Sequence, residues 1–211
     1  MDPFATLPWK QVRRQYERRC GVHEELLDLL ERDERESFVH LVLGIENPAG
    51  NYSAAEHGLG PQVLRLNRNA IDRVFELCQE FHRLEDPHEV PVLIRNAGLR
   101  YLQIGVGSEA SCLVNPEICW VSNTRTIWTH LVVKHDDNLE KANEELELYR
   151  SDQDSEMAYK VWAAIHRELD TAMTRIAERA SRLATQAGVQ PGGMKYLWAD
   201  AVANQLYSEH S

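Results

Sequence analysis

The stretch AYKVWAAIHRELDTAMTRIAERASRL, residues 158–183, decides the fold class. Its apolar pattern runs through Ala158, Val161, Trp162, Ile165, Leu169, Met173, Ile176, Ala180 and Leu183. They recur mostly at steps of three and four, which gathers them on one side of an α-helix. Gly188, Pro191 and Gly192-Gly193 then stop the helix.

Working outward, the same period returns on both sides. Leu197, Trp198, Ala201, Val202 and Leu206 predict a last amphipathic helix. Upstream, Ser151–Ser155 reads as a polar linker, preceded by an acidic helix that ends near Tyr149. His135-Asp136-Asp137-Asn138 separates that helix from another, capped by Ser122 or Asn123, with a core face of Ile127, Trp128, Leu131 and Val132. Ile71, Val74, Phe75, Cys78 and Phe81 form a further helix face, opened at Asn69 and closed by Asp86-Pro87. Phe38, Val39, Leu41, Val42 and Ile45 form another. At the start, Trp9, Val12 and Tyr16 predict a helix that Gly21 ends, and a second helix runs on from Val22 with Leu26, Leu27, Leu29 and Leu30.

Two stretches break the pattern. Asn47–Asn67, with Pro48, Gly50, Gly58, Gly60 and Pro61, reads as a long loop. In the second, Leu102, Ile104 and Val106 alternate with Gln103, Gly105 and Gly107, a period of two. The expected fold is therefore mainly α: one domain over residues 1–211, a bundle of about seven helices with a small β or irregular insert near residues 90–121.

Composition narrows the classes. A hydrophobic share of 43% in 211 residues, with five Trp and seven Tyr, supplies a core and excludes a disordered chain. No run approaches the roughly 20 apolar residues of a membrane span. Met1-Asp2-Pro3-Phe4 opens without a basic and then apolar leader, so the expected location is cytoplasmic. Cys20, Cys78, Cys112 and Cys119 include no close pair of metal-ligand spacing and read as reduced, mostly buried thiols. Net charge is −10, but residues 136–159 alone carry nine acids against two bases. The rest of the chain is close to neutral, so overall acidity does not exclude a nucleic-acid partner. It does argue against broad coating of DNA, which needs many phosphate contacts.

Chemistry is carried most distinctly by Asn123-Thr-Arg125-Thr-Ile-Trp-Thr-His130. An Arg followed by His after four intervening residues on a helix resembles HEPN-type domains, helical bundles that include many metal-independent ribonucleases. The resemblance implies a toxin or defence protein that binds or cleaves RNA as a homodimer without a cofactor. His130 would be the catalytic base and Arg125 the phosphate-stabilising cation. Family members often carry Asn, Asp or His directly after the Arg, where this chain has Thr126. The physical logic is simple. Metal-free cleavage needs a group near neutral pKa to take the 2′-hydroxyl proton and a cation for the crowded phosphorane. Five residues apart, the two side chains leave a helix about 140° apart. A second protomer across a two-fold axis, as the resemblance implies, relieves that divergence. The plainer reading is that Arg125 meets a carboxylate and His130 sits at the core edge. The same spacing recurs in Arg18-Arg-Cys-Gly-Val-His23.

Other features are less specific. Lys10, Arg14 and Arg18 share one face of the first helix, with Arg13 and Arg19 nearby, a candidate RNA- or phosphate-contact strip. The acidic segment 136–159 suits a protein partner and supports an alternative class, a noncatalytic adaptor or regulator. His130, His135 and Asp136 bring imidazole and carboxylate close together, but a spacing of five is poor for two metal ligands on one straight helix. No metal site is assigned. Gly105-Val-Gly107-Ser108-Glu109 lacks the spacing of a phosphate-cradling loop.

Overall fold

A computed structural model of the chain describes residues 2–149 and 156–210, so the linker expected at residues 151–155 lies outside the described residues. Eleven α-helices and two short 3₁₀ turns follow one another, with no strand among the described residues. In order they are α1 (Trp9–Glu31), α2 (Arg35–Val42), α3 (Tyr52–Glu56), α4 (Leu59–Leu66), α5 (Ala70–Arg83), α6 (Val90–Ala97), α7 (Ile104–Val114), α8 (Thr124–Lys134), α9 (Leu139–Tyr149), α10 (Glu156–Gln186) and α11 (Lys195–His210). None is long and apolar enough to cross a membrane. The helices divide into two compact units, one of Met1–Tyr16 with Thr124–Ser211 and one of Glu17–Asn123.

In the first unit α10 packs against α8 and α11, and α8 packs against α9 and α11. The stripe read from the sequence is the reason: Ile165, Leu169, Met173, Ile176 and Ala180 are buried, as are Ile127, Trp128, Leu131 and Val132 of α8. Trp198 stacks on Trp9 with ring centroids 6.3 Å apart and takes Tyr16 edge-on at 5.8 Å. Such aromatic pairs add about 0.5–1.5 kcal/mol each beyond the area they bury. The His135–Asn138 turn forms where expected, with Asp136 and Asp137 in the left-handed region at φ 52° and 66°. Arg179 donates to both oxygens of Asp137 (2.8 and 2.6 Å), reaches Asp2 at 2.7 Å and lies over the Phe4 ring. That one guanidinium ties the turn and the start of the chain to α10.

One expectation fails here. The last helix is not amphipathic, because every residue from Tyr196 to Leu206 is buried, Asp200, Asn204 and Gln205 included. Its apolar residues marked a core face correctly, but the polar ones between them are interior as well.

In the second unit α5 packs against α2, α4, α6 and α7. Residues 90–121 hold α6 and α7 in place of the expected small β or irregular insert. The alternation at Leu102, Ile104 and Val106 misled because α7 has almost no polar face to reveal its period: Ile104 and everything from Val106 to Val114 are buried. Small residues let neighbours close around it. A Cβ on Gly107 would lie 2.5 Å from Ile94 Cδ1, so glycine admits α6 there.

The count of about seven helices also falls short, since the expected loop Asn47–Asn67 folds into short elements. Asn47 Oδ1 accepts from Ala49 N–H and starts a 3₁₀ turn at Pro48–Gly50. Asn51 Oδ1 accepts from Ala54 N–H and caps α3, and α4 follows. Conversely, the two helices expected on either side of Gly21 are one. Gly21 is exposed, while Val22, Leu26 and Leu29 keep the buried stripe going past it. None of the four cysteines is in a disulfide, and only Cys20 is not fully buried. Burial pushes the Cys78 thiol up to about 12 and does the same to Cys119 against a hydrogen bond with Ser111.

Candidate functional site

α8 carries both residues of the Arg–His pair. Its register is fixed from several sides: Trp128 Nε1–H donates to Asn143 Oδ1 of α9 at 2.7 Å, and the Trp128 ring meets Tyr207 of α11 edge-on at 5.4 Å. With Trp128 locked, the directions of Arg125 and His130 follow from the helical repeat.

Arg125 is half-buried and its Nη1 donates to Asn204 Oδ1 of α11 at 2.8 Å. His130, also half-buried, has different neighbours. Burial holds its imidazole below the ordinary value of 6.5. Glu168 of α10 works against that shift, Lys134 with it, Glu145 of α9 against it and Arg175 with it. The ring is therefore held neutral near pH 7. Among the described residues it has no hydrogen-bond partner. One side chain thus turns to α11 and the other to the surroundings of α9 and α10, in keeping with the 140° divergence. Thr126, between them, is wholly buried.

The cationic strip of α1 is exposed at Lys10, Arg14 and Arg18. Its two expected neighbours are engaged elsewhere. Arg13 donates to the carbonyls of Gln190 (3.3 Å) and Pro191 (3.0 Å), pinning the segment between α10 and α11. Arg19 is wholly buried, and its Nη1 donates to Glu109 Oε1 at 2.7 Å and to the Ala49 carbonyl at 3.0 Å. It is removed from the strip because its position continues the apolar face of α1. In the second Arg-x₄-His match, His23 Nδ1 lies 2.6 Å from the Leu113 carbonyl.

His135 Nε2 lies 2.7 Å from Glu145 Oε2, and Lys134 Nζ reaches the other oxygen of that carboxylate at 2.5 Å. No cluster of three or more metal-ligating side chains occurs among the described residues. In the acidic segment, Asp137 and Glu145 are thus engaged inside their own unit. Glu140, Glu144 and Glu147, at i, i+4 and i+7, form an exposed acidic stripe on α9.

The sequence reading missed the buried polar residues. Glu109 is wholly buried, and besides Arg19 it accepts from the backbone N–H of Tyr52 (2.8 Å) and Ser53 (3.0 Å). Asn51 donates to the carbonyls of Val42 (3.3 Å) and Val106 (3.0 Å). His166, Asp200 and Asn204 are buried in the other unit. The signal was there: a lone carboxylate or amide inside an apolar run, Glu109 within Val106–Val114 and Asp200 within Trp198–Leu206. Such a group is costly to bury without partners, so its presence predicts a polar network. Comparison with known proteins yields no matching family model, no matching curated sequence and no matching solved structure.

Proposed function

We propose that the chain acts on RNA as a metal-independent ribonuclease of the HEPN-like kind, with the site completed by a second copy. The observation that carries the reading is the state of His130: a half-buried imidazole, kept neutral by its surroundings, with no hydrogen-bond partner among the described residues. A neutral, uncommitted imidazole is the form a general base requires. His130 takes the proton from a ribose 2′-hydroxyl as O2′ attacks phosphorus. The guanidinium of Arg125 stabilises the charge on the non-bridging oxygens, and the 5′-oxygen leaves after gaining a proton from water. Because Arg125 and His130 of one chain turn to different helices, the pair that meets one phosphodiester comes from two copies. Lys10, Arg14 and Arg18 supply backbone contacts to the strand.

The test is cleavage of single-stranded RNA by the purified chain in chelator, with products checked for a 2′,3′-cyclic phosphate. His130→Ala is expected to lower the rate at least about 100-fold. Cleavage unchanged in that variant, or none by the native chain, overturns the reading. The exposed stripe Glu140, Glu144 and Glu147 favours a second reading, an adaptor that docks a basic protein on α9. Reversal of those charges separates the two, since it abolishes docking and leaves RNA cleavage intact.

A further inference from the structure

The first unit has an open groove of about 400 Å³ between the C-terminal half of α10 and the start of α11. Its wall includes Glu178, Ser181 and Arg182 from α10, Gly193 from the connecting segment, and Lys195 and Trp198 from α11. This is the size of a small-molecule site. Neither Arg125 nor His130 lines it, so a ligand here stands or falls independently of the RNA reading.

Four features of the wall point to one ligand chemistry. Arg182 is exposed and Lys195 half-buried, and among the described residues neither has a carboxylate partner; Lys195 Nζ lies 4.1 Å from the centre of the Tyr196 ring. α11 begins at this groove, and the first-turn amides of a helix have no carbonyl ahead of them to accept their N–H groups. Trp198, part of the wall, is otherwise wholly buried, and its Nε1–H has no acceptor among the described residues. The connecting segment is held in place: Tyr16 Oη accepts from Met194 N–H at 3.0 Å, and a Cβ on Gly192 would lie 2.6–2.8 Å from Tyr16 ring atoms. Only glycine allows that approach.

We propose that this groove binds a phosphate-class oxyanion, with Arg182 and Lys195 as its cations, the α11 amino end as its cradle and Trp198 Nε1–H as a further donor. Glu178 is the one carboxylate in the wall and weakens the site for a doubly charged anion.

The experiment is a titration of the full chain with inorganic phosphate, read by NMR, against chloride at equal ionic strength. The expected result is a saturable shift of the Trp198 indole N–H and of the Lys195–Leu197 amides. The double variant Arg182→Gln, Lys195→Gln is expected to weaken binding at least about tenfold, and Glu178→Gln to tighten it. All three changes are on the groove's surface, and circular dichroism checks that each variant keeps its helices. A short single-stranded RNA in competition identifies the source of the group. Displacement of phosphate by RNA points to a nucleic-acid backbone; binding of phosphate without RNA points to a small phosphate ligand. No saturable shift beyond the chloride control, or an equal shift in the double variant, overturns the proposal.

Discussion

Glu109 in the Glu17–Asn123 unit and Asn204 in the other unit are both buried polar residues set among apolar neighbours on a helix, yet they differ in how they are satisfied. At Glu109 both carboxylate oxygens accept, from Arg19 and from two backbone amides, while Asn51 beside it caps α3 and holds two carbonyls. At Asn204 only half of the side chain is used. Its Oδ1 takes Arg125, which can only donate, so the amide orientation is fixed and Nδ2 is left without a partner among the described residues. Thr129 Oγ1, one turn beyond Arg125 on α8, also has none. A carboxylate saturated in this way helps to specify a fold, whereas open valences are where a ligand or a bound water gains most.

The largest expected effect lies at Glu109. Glu109→Ala removes the acceptor for a buried guanidinium and for two backbone amides at the start of α3. Breaking a buried pair in this way costs about 3–5 kcal/mol. Urea unfolding of the variant is expected to show that loss, and a cost below about 1 kcal/mol would mean that solvent reaches Arg19.

The same contrast explains what could be read from the sequence. α10 was legible along its described length because its two faces differ: Leu169, Met173 and Ile176 lie inside, Arg167, Glu168 and Arg175 outside. α5 was legible from Asn69 to Asp86 for the same reason. α7 was not, since a helix buried on all sides offers no contrast between faces, and its one charged residue, Glu109, is as buried as the rest. The segment after Asn47 was hidden differently. Its order comes from asparagine caps and from contact with Glu109, a partner more than 50 positions away that no local period reveals. At the candidate site, the choice of α8 and the divergence of Arg125 from His130 follow from helical spacing alone. Asn204 as the partner of Arg125, 79 positions on, does not.

His130 tests the other unit by pH. Burial lowers its pKa from 6.5, with Glu168 opposing the shift. The folded chain therefore binds this proton less readily than the unfolded chain. Its stabilising contribution is complete above pH 6.5 and is lost as pH falls through the folded value. Urea midpoints at about pH 8 and about pH 5 should diverge more for the native chain than for His130→Gln. Equal divergence would place the imidazole in water, and with it would go the argument that the ring is kept neutral as a base.

The smallest effect is the most discriminating. Thr129→Val keeps the shape of the side chain and exchanges a buried hydroxyl for a methyl. If Oγ1 has no partner, the native chain carries an uncompensated desolvation cost of about 1–3 kcal/mol. The variant should then unfold at the same urea concentration as the native chain or a higher one. Had the same exchange been made at a hydroxyl within a closed network, it would lose about 0.5–1.5 kcal/mol with the bond. A clear loss at Thr129 would therefore show that a water or ligand already bonds Oγ1 in solution. The contrast would then lie between Glu109, satisfied by the chain, and Thr129, satisfied by a guest.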